Sequence, residues 1–409
     1  MMMVLHSDAN CFYASVEMVE RPELRDTAMA VCGDTEQRHG IVLTASYPAK
    51  RRGVKTGMAN WQAKQTCPGL IIVSPRYDLY LKYSHLLRRI YTRYSDRVES
   101  FGMDECWIEL DCGENDAVET AELIRRQVRE ETGLTVSVGV SFTKALAKLG
   151  SDMKKPDAVT VLGRGTYREK TRDLPVSDLL YVGPATTRKL YKLGIMTIGQ
   201  LAEMPEDVVV RLLGKNGYMI RSFARGEDGY PVADRDYRPE PKSIGHGATG
   251  VRDLENNGEI WRALYELAQD VGHRLIRHDL RTRVVFLYVK DNEMWMRSYR
   301  VPLTRPTQSP LIIAQAAYDR FRAAYDWARP VRALTVTACE LKDANLPRQL
   351  DLFNDEMTAD RREQADRAVD GLRCRYGMDI VRAGCMIGAD LALATDECEK
   401  VTMPGMIYR

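Results

Sequence analysis

No stretch of this chain approaches the roughly 18 consecutive apolar residues of a membrane span. Nor does a basic segment with a long apolar core stand at Met1-Met2-Met3-Val4-Leu5, so no secretory leader is expected. The nine cysteines are an odd set without a C-x-x-C pair. That spacing excludes an obvious zinc ribbon and disfavours a disulfide framework, so reduced thiols in a soluble, cytoplasmic protein are expected. A charge excess is missing too: 59 Lys and Arg face 57 Asp and Glu, a net of +2, so total charge identifies no partner. Fixed-period repeats and low-complexity tracts are absent. What is present is ordinary globular composition, 44% hydrophobic and 28% charged over 409 residues. That length holds about two to four domains.

Apolar periodicity reads as a multidomain α+β chain. A strand over 3–8 ends on Asp8, a helix starts near Phe12, and Met29–Cys32 is a weaker strand. Leu79, Tyr83, Leu86, Leu87, Ile90 and Tyr94 recur at three- and four-residue steps, which predicts a helix over 77–95. Strands over 98–103 and 106–110 hinge at Asp104-Glu105, and a helix over 115–132 and a strand over 135–141 follow. Short helices with glycine breaks fill 173–232, and Pro239 and Pro241 with mixed charge suit a linker. Beyond it, strand 242–250, helix 257–277, strands 282–290 and 294–303, helix 309–327 and strand 331–341 make a βαββαβ domain. The tail carries one helix near 358–376.

Asp8 ends one strand and Asp104-Glu105 joins two others. Carboxylates at strand ends cost solvation unless a positive group compensates them. Hard oxygen ligands of this kind suit Mg²⁺, and two such ions about 3.5–4 Å apart can stabilise both oxygens of a phosphoryl transfer. Each acid by itself would more simply cap a turn or face water; spacing does not decide between the two readings.

The neighbouring residues do. Asp8-Ala9-Asn10-Cys11-Phe12-Tyr13-Ala14-Ser15-Val16-Glu17 and Ser100-Phe101-Gly102-Met103-Asp104-Glu105-Cys106-Trp107-Ile108 resemble, in this order, two motifs of the Y-family (translesion) DNA polymerases. The resemblance is to the bacterial polymerase IV and polymerase V catalytic-subunit branch and covers about residues 1–353. It implies a right-hand polymerase: palm over 1–10 and 76–165, fingers over 11–75, a helix-hairpin-helix thumb over 166–233, a linker over 234–241, and a little finger over 242–345. It further implies template-directed synthesis from dNTPs on primed DNA in damage tolerance. Two Mg²⁺ ions would be held by Asp8, Asp104, Glu105 and the Ala9 carbonyl. Asn10 stands where many members have a second acid and is read as having no metal role.

The same resemblance assigns nucleotide contacts. Tyr13 is the steric gate under the deoxyribose, with Phe12 beside it as the packing ring. Tyr47 and Lys50, in Thr44-Ala-Ser46-Tyr47-Pro-Ala-Lys50-Arg51-Arg52-Gly53, grip the triphosphate together with Lys155 of Met153-Lys154-Lys155-Pro156. Lys replaces the more usual Arg at position 50 and grips as a point charge, without a bidentate fork. Lys148 is read as structural or surface.

For DNA, Val182-Gly183-Pro184-Ala185-Thr186 resembles a hairpin that presents backbone N–H groups to a phosphate. Pro184 removes one donor, and a purely structural hairpin competes with that reading. Residues 241–350 carry 17 basic against 12 acidic residues. Arg281, Arg283, Arg297 and Arg300 concentrate on two strands, which suits sequence-independent phosphate binding. Gln349-Leu350-Asp351-Leu352-Phe353 matches the peptide by which bacterial polymerases bind the sliding clamp. Leu352 and Phe353 would be its apolar anchors. The chain is expected to act as a monomer on its own. The rival readings are a non-catalytic DNA- and clamp-binding accessory protein and a nucleotidyl cyclase. Three clustered carboxylates argue against the first, and Tyr13 and the clamp peptide against the second.

Overall fold

The computed structural model describes residues 2–35, 40–346, 356–377 and 380–387. Strand β1 (Met2–Ala9) leads into helix α1 (Phe12–Glu20) through Cys11, whose left-handed backbone (φ 49°) swings the chain off the sheet. Next come β2 (Met29–Cys32), β3 (Val42–Ala45), α2 (Tyr47–Arg51), α3 (Asn60–Thr66) and β4 (Ile71–Val73). Their strands form a small sheet, β3-β2-β4, with a core around Val42, Ala49, Ala63 and Cys67. Only β2 is expected from the pattern. The others run three to seven residues, too short to display a period.

α4 (Tyr77–Tyr91), β5 (Val98–Ser100), β6 (Glu105–Asp111), α5 (Glu114–Thr132), β7 (Val136–Ser141), α6 (Lys144–Met153) and β8 (Val159–Leu162) complete the first unit. Its five-stranded sheet has the order β5-β6-β1-β7-β8, so the N-terminal strand is central. The strand expected to run to 103 stops at Ser100, because Gly102 turns the chain at φ +88°. One face, with Leu5, Ile108 and Val138, packs on α4 and α5 through Leu87, Ile90 and Ile124. The other face takes α6 at very short range. A Cβ on Gly139 of β7 would lie 1.9 Å from the Ala147 carbonyl oxygen, so only glycine admits the helix there.

Five short helices follow, α7 (Tyr167–Thr171), α8 (Pro184–Tyr191), α9 (Ile198–Glu203), α10 (Glu206–Leu213) and α11 (Lys215–Ala224), around Leu190, Ile198, Leu201 and Ile220. The segment after them is laid against the first unit. Ala233 N–H donates to Glu99 Oε2 at 2.9 Å, and Arg235 pairs with Asp96 at 2.8 Å.

β9 (Ser243–Leu254), α12 (Asn257–Arg277), β10 (Leu280–Asp291), β11 (Met296–Thr307), α13 (Pro310–Ala324) and β12 (Val331–Asp343) give the expected βαββαβ order. The antiparallel sheet is ordered β11-β10-β12-β9, and α12 and α13 bury Leu264, Leu267, Val271 and Phe321 against Val285, Leu287 and Val336. A last helix, α14 (Glu356–Tyr376), lies on α12 and the start of β10. Among the described residues no helix is long and apolar enough to cross a membrane.

Candidate active site

Asp8 is the penultimate residue of β1 and Glu105 the first of β6, and the antiparallel register sets them directly opposite each other. Opposite residues share a face. Here it is the α6 face, because Ser7, one step away, points the other way and meets the Tyr91 hydroxyl of α4 at 3.0 Å. Asp104 arrives from the turn made by Gly102, and its carbonyl accepts from the Ala9 N–H at 3.0 Å. The three expected acids, on segments far apart in the chain, therefore meet at one end of the central strands, with Ala9 beside them.

Like charges facing across a ladder repel. Two lysines answer them. Lys148 of α6, only 14% exposed, reaches Glu105 Oε1 at 2.9 Å, Asp8 Oδ2 at 3.3 Å and Asp152 at 3.2 Å. Lys155, followed by a cis peptide bond to Pro156, reaches Asp8 Oδ2 at 2.7 Å and Asp152 at 2.9 Å. His6 is fully buried two residues before Asp8, with Nε2 3.4 Å from Glu105 Oε2 and Nδ1 2.8 Å from Ser151 Oγ.

These contacts split the acids electrostatically. Burial, then repulsion from Glu105 and Asp8, pushes the Asp104 carboxyl up to about 7. Burial also opposes charge on Glu105, yet His6 and Lys148 outweigh it and hold that carboxyl below its ordinary range. Lys148 shows the converse: burial disfavours its charge, but Glu105, Asp8 and Asp152 raise its ammonium above the usual value. Among the described residues Asp104 has no ion-pair partner.

That surplus of hard carboxylate oxygens is the donor set a divalent cation requires, so the residues present fit such an ion. Asn10 stands outside the set. Its amide donates to Ser137 Oγ at 2.9 Å and its oxygen accepts from Thr135 Oγ1 and the Asp157 N–H, which ties the start of α1 to β7.

Tyr13 stacks on Tyr80, centroids 4.4 Å apart and planes 17° apart, and its hydroxyl donates to Met103 Sδ at 3.4 Å. The Phe12 ring is 2% exposed and packs on the same Tyr80, so its side chain is core and only its backbone can face a nucleotide. Tyr47 and Lys50 lie one turn apart on α2, which Ser46 caps, with the Lys50 ammonium 5.4 Å from the Tyr47 ring centroid. Burial, with the nearby Cys11 and Asp8, raises the Tyr47 phenol, which keeps it a neutral donor.

On the DNA side, Gly183 caps α8 and is exposed, as is Ala185. Arg283 is exposed. Arg297 and Arg300 are exposed as well and pair with Asp326 and Glu340. Arg281 departs from expectation. It is 8% exposed, donates to the Ala344 carbonyl and pairs with Glu363 of α14 at 3.0 Å, so its guanidinium is spent inside the protein. The pairing of β10 with β11 is irregular between Thr282 and Val284, and here Arg281 is buried while Arg283 is exposed. Gln349, Leu350, Leu352 and Phe353 lie outside the described residues.

Sequence reasoning missed Lys148 and His6. A signal existed for the first: Lys144, Lys148, Asp152 and Lys155 recur at near-helical steps, and Lys144 too is buried, 2.6 Å from Glu99.

Known proteins agree with this geometry. Residues 7–152 match the impB/mucB/samB family and residues 241–352 match the C-terminal domain of that family. DNA polymerase IV of Acetivibrio thermocellus is 46% identical over 389 residues, 94% of this chain and 97% of that one. DNA polymerase IV 1 of Bacillus subtilis is 35% identical over 389 residues, 94% and 93% of the two chains. A solved Y-family DNA polymerase chimera superposes with a TM-score of 0.73 at 21% identity, covering 83% of this chain and 98% of its own. The chain belongs to the impB/mucB/samB family and is a Y-family DNA polymerase of the polymerase IV-like kind.

Proposed function

We propose that this chain extends primers on damaged templates, adding dNTPs to a primer 3′-hydroxyl with two Mg²⁺ ions held by Asp8, Asp104, Glu105 and the Ala9 carbonyl. The observation that carries this reading is the gathering of three carboxylates of which Asp104 has no cation at ion-pair distance among the described residues. Bound there, the ions would supply Lewis-acid stabilisation of the charge that builds at the α-phosphate. The first sheet serves as palm, the small sheet as fingers, the five short helices as thumb and the C-terminal sheet as little finger.

The chain's own residues do the rest. Lys155 can exchange its bond to Asp8 for a triphosphate oxygen when cations take over Asp8, and Tyr47 and Lys50 meet the same phosphates from α2. Tyr13 excludes a 2′-hydroxyl by bulk. Its stacking on Tyr80 and its bond to Met103 prevent the ring from swinging aside, and that rigidity is what steric rejection requires. Gly183 and Ala185 offer backbone donors to DNA, and Arg283, Arg297 and Arg300 offer positive charge to phosphates. Leu352 and Phe353 recruit the monomeric chain to the bacterial sliding clamp.

Primer extension with Mg²⁺ on undamaged and lesion-bearing templates tests the proposal. Asp104→Ala should lose on the order of 10³-fold or more in rate. Extension by the purified variant within about tenfold of wild type refutes the assignment.

A further inference from the structure

The helix α14 is docked by a seam with little apolar content. Of its described side chains, those turned inward are Glu363, Asp366, Val369, Asp370 and Arg373, and only Val369 is apolar. Glu363 meets Arg281, and Arg373 donates to Gln269 of α12 and to the Val381 carbonyl. Ion pairs in a half-exposed seam contribute little net stability, so polar contacts alone account poorly for a helix held at this place.

Midway along the seam, three different metal-ligand types converge. His273 of α12 has Nδ1 2.5 Å from Asp370 Oδ1, and Cys374 Sγ stands 3.9 Å from Asp370 Oδ2. One ligand atom from each of the three lies within 4.8 Å of the others. Asp370 and Cys374, four residues apart, share a helix face and approach His273 together. Ligand atoms around a tetrahedral zinc at about 2.0–2.3 Å are roughly 3.3–3.8 Å apart, so side-chain rotations of about 1 Å complete the set. One turn earlier on the same stripe, Asp366 places a second carboxylate in the seam, close to Ser309, and burial there opposes its charge.

We propose that His273, Asp370 and Cys374 bind a zinc-class divalent cation, with water as the fourth ligand, and that this ion clips α14 to the little finger. The imidazole-carboxylate-thiolate set selects a borderline-soft ion and discriminates against Mg²⁺, whereas the catalytic acids offer oxygen alone. On binding, the cation takes the place of the hydrogen between His273 Nδ1 and Asp370, the neutral imidazole carrying its proton on Nε2, and the Cys374 thiol gives up its proton to solvent. The clip secures the cover that Glu363 places over Arg281.

The test titrates the full chain with Zn²⁺ against a chromophoric chelator and with Co²⁺ read by its thiolate charge-transfer band. The wild type should bind one equivalent and show the band. Cys374→Ser, at an exposed position that tolerates the change, should lose the band and weaken Zn²⁺ binding by more than about 100-fold, beyond the loss typical of outer-shell partners. His273→Ala should do the same, while Cys385→Ser should keep both. Zn²⁺ should also slow amide exchange along α14 in the wild type and not in Cys374→Ser. Equal Zn²⁺ binding by wild type and Cys374→Ser, or a Co²⁺ band that survives that substitution, overturns the proposal.

Discussion

Replacing Asp104 by Asn should stabilise the metal-free protein while abolishing its synthesis of DNA. Burial, with Glu105 and Asp8 beside it, pushes the Asp104 carboxyl up to about 7 in the fold, against about 3.9 in an unfolded chain. Below about pH 4 the group is neutral in both states and costs nothing. Between the two values the unfolded chain ionises freely while the fold holds the proton, because burial, Glu105 and Asp8 all oppose the charge, so stability falls across that window. Each pH unit between the two values is worth about 1.4 kcal/mol, an upper figure near 4. Asp104 keeps partial exposure, which lowers the expectation to about 2–4 kcal/mol at pH 8. Asn is isosteric and uncharged, so the variant should recover that amount, about 5–10 °C in the transition that reports the catalytic sheet. The measurement is a thermal melt at pH 5 and pH 8 in chelator, repeated with Mg²⁺. The gap between variant and wild type should narrow at pH 5, and Mg²⁺ should raise the wild type at pH 8 with little effect on the variant. A variant that melts at or below wild type at pH 8 in chelator would show that Asp104 is already compensated, and the electrostatic account of the site would fail.

Lys148→Met should destabilise the metal-free protein by about 3 kcal/mol, since it leaves the buried Glu105 without its lysine and Asp8 with Lys155 alone, and Mg²⁺ should restore part of the loss; denaturant unfolding with and without Mg²⁺ measures both. Tyr13→Ala should raise the rNTP to dNTP ratio of kcat/KM with DNA affinity unchanged, and an unaltered ratio would make Tyr13 a packing residue. Neutralising Arg283 and Arg300 should weaken binding to all DNA alike and flatten the log-log salt dependence by up to about 0.9 per lost phosphate contact. Arg281→Ala should instead lower stability with the salt slope intact, because that guanidinium serves Glu363 and Ala344. Leu352→Ala with Phe353→Ala should remove clamp-dependent stimulation at a cost of several kcal/mol in clamp binding, about 1.5–3 per anchor, while leaving basal extension on short primed DNA unchanged.

The long periodic elements are legible in the amino-acid sequence. The helix that ends at Tyr91 and the βαββαβ order of the C-terminal half repeat their apolar residues over enough turns to declare a period. Asp8 and Asp104-Glu105 can be named because their neighbours resemble two motifs of one family. Four small elements around β2 escape such a reading, for segments of three to seven residues hold too little periodicity, and α6 and β8 escape it as well. Lys148 and Arg281 meet a different limit. A local reading leaves Lys148 as structural or surface and sends an arginine on a basic strand to DNA. Their burial follows from partners distant in the chain: the Asp8–Glu105 register supplies two carboxylates under α6, and α14 supplies Glu363 over β10. Periodicity is a property of consecutive residues, so it can be read along the chain. Charge compensation belongs to residues that only strand register and helix docking bring within a few ångströms, and so the tertiary structure alone decides it.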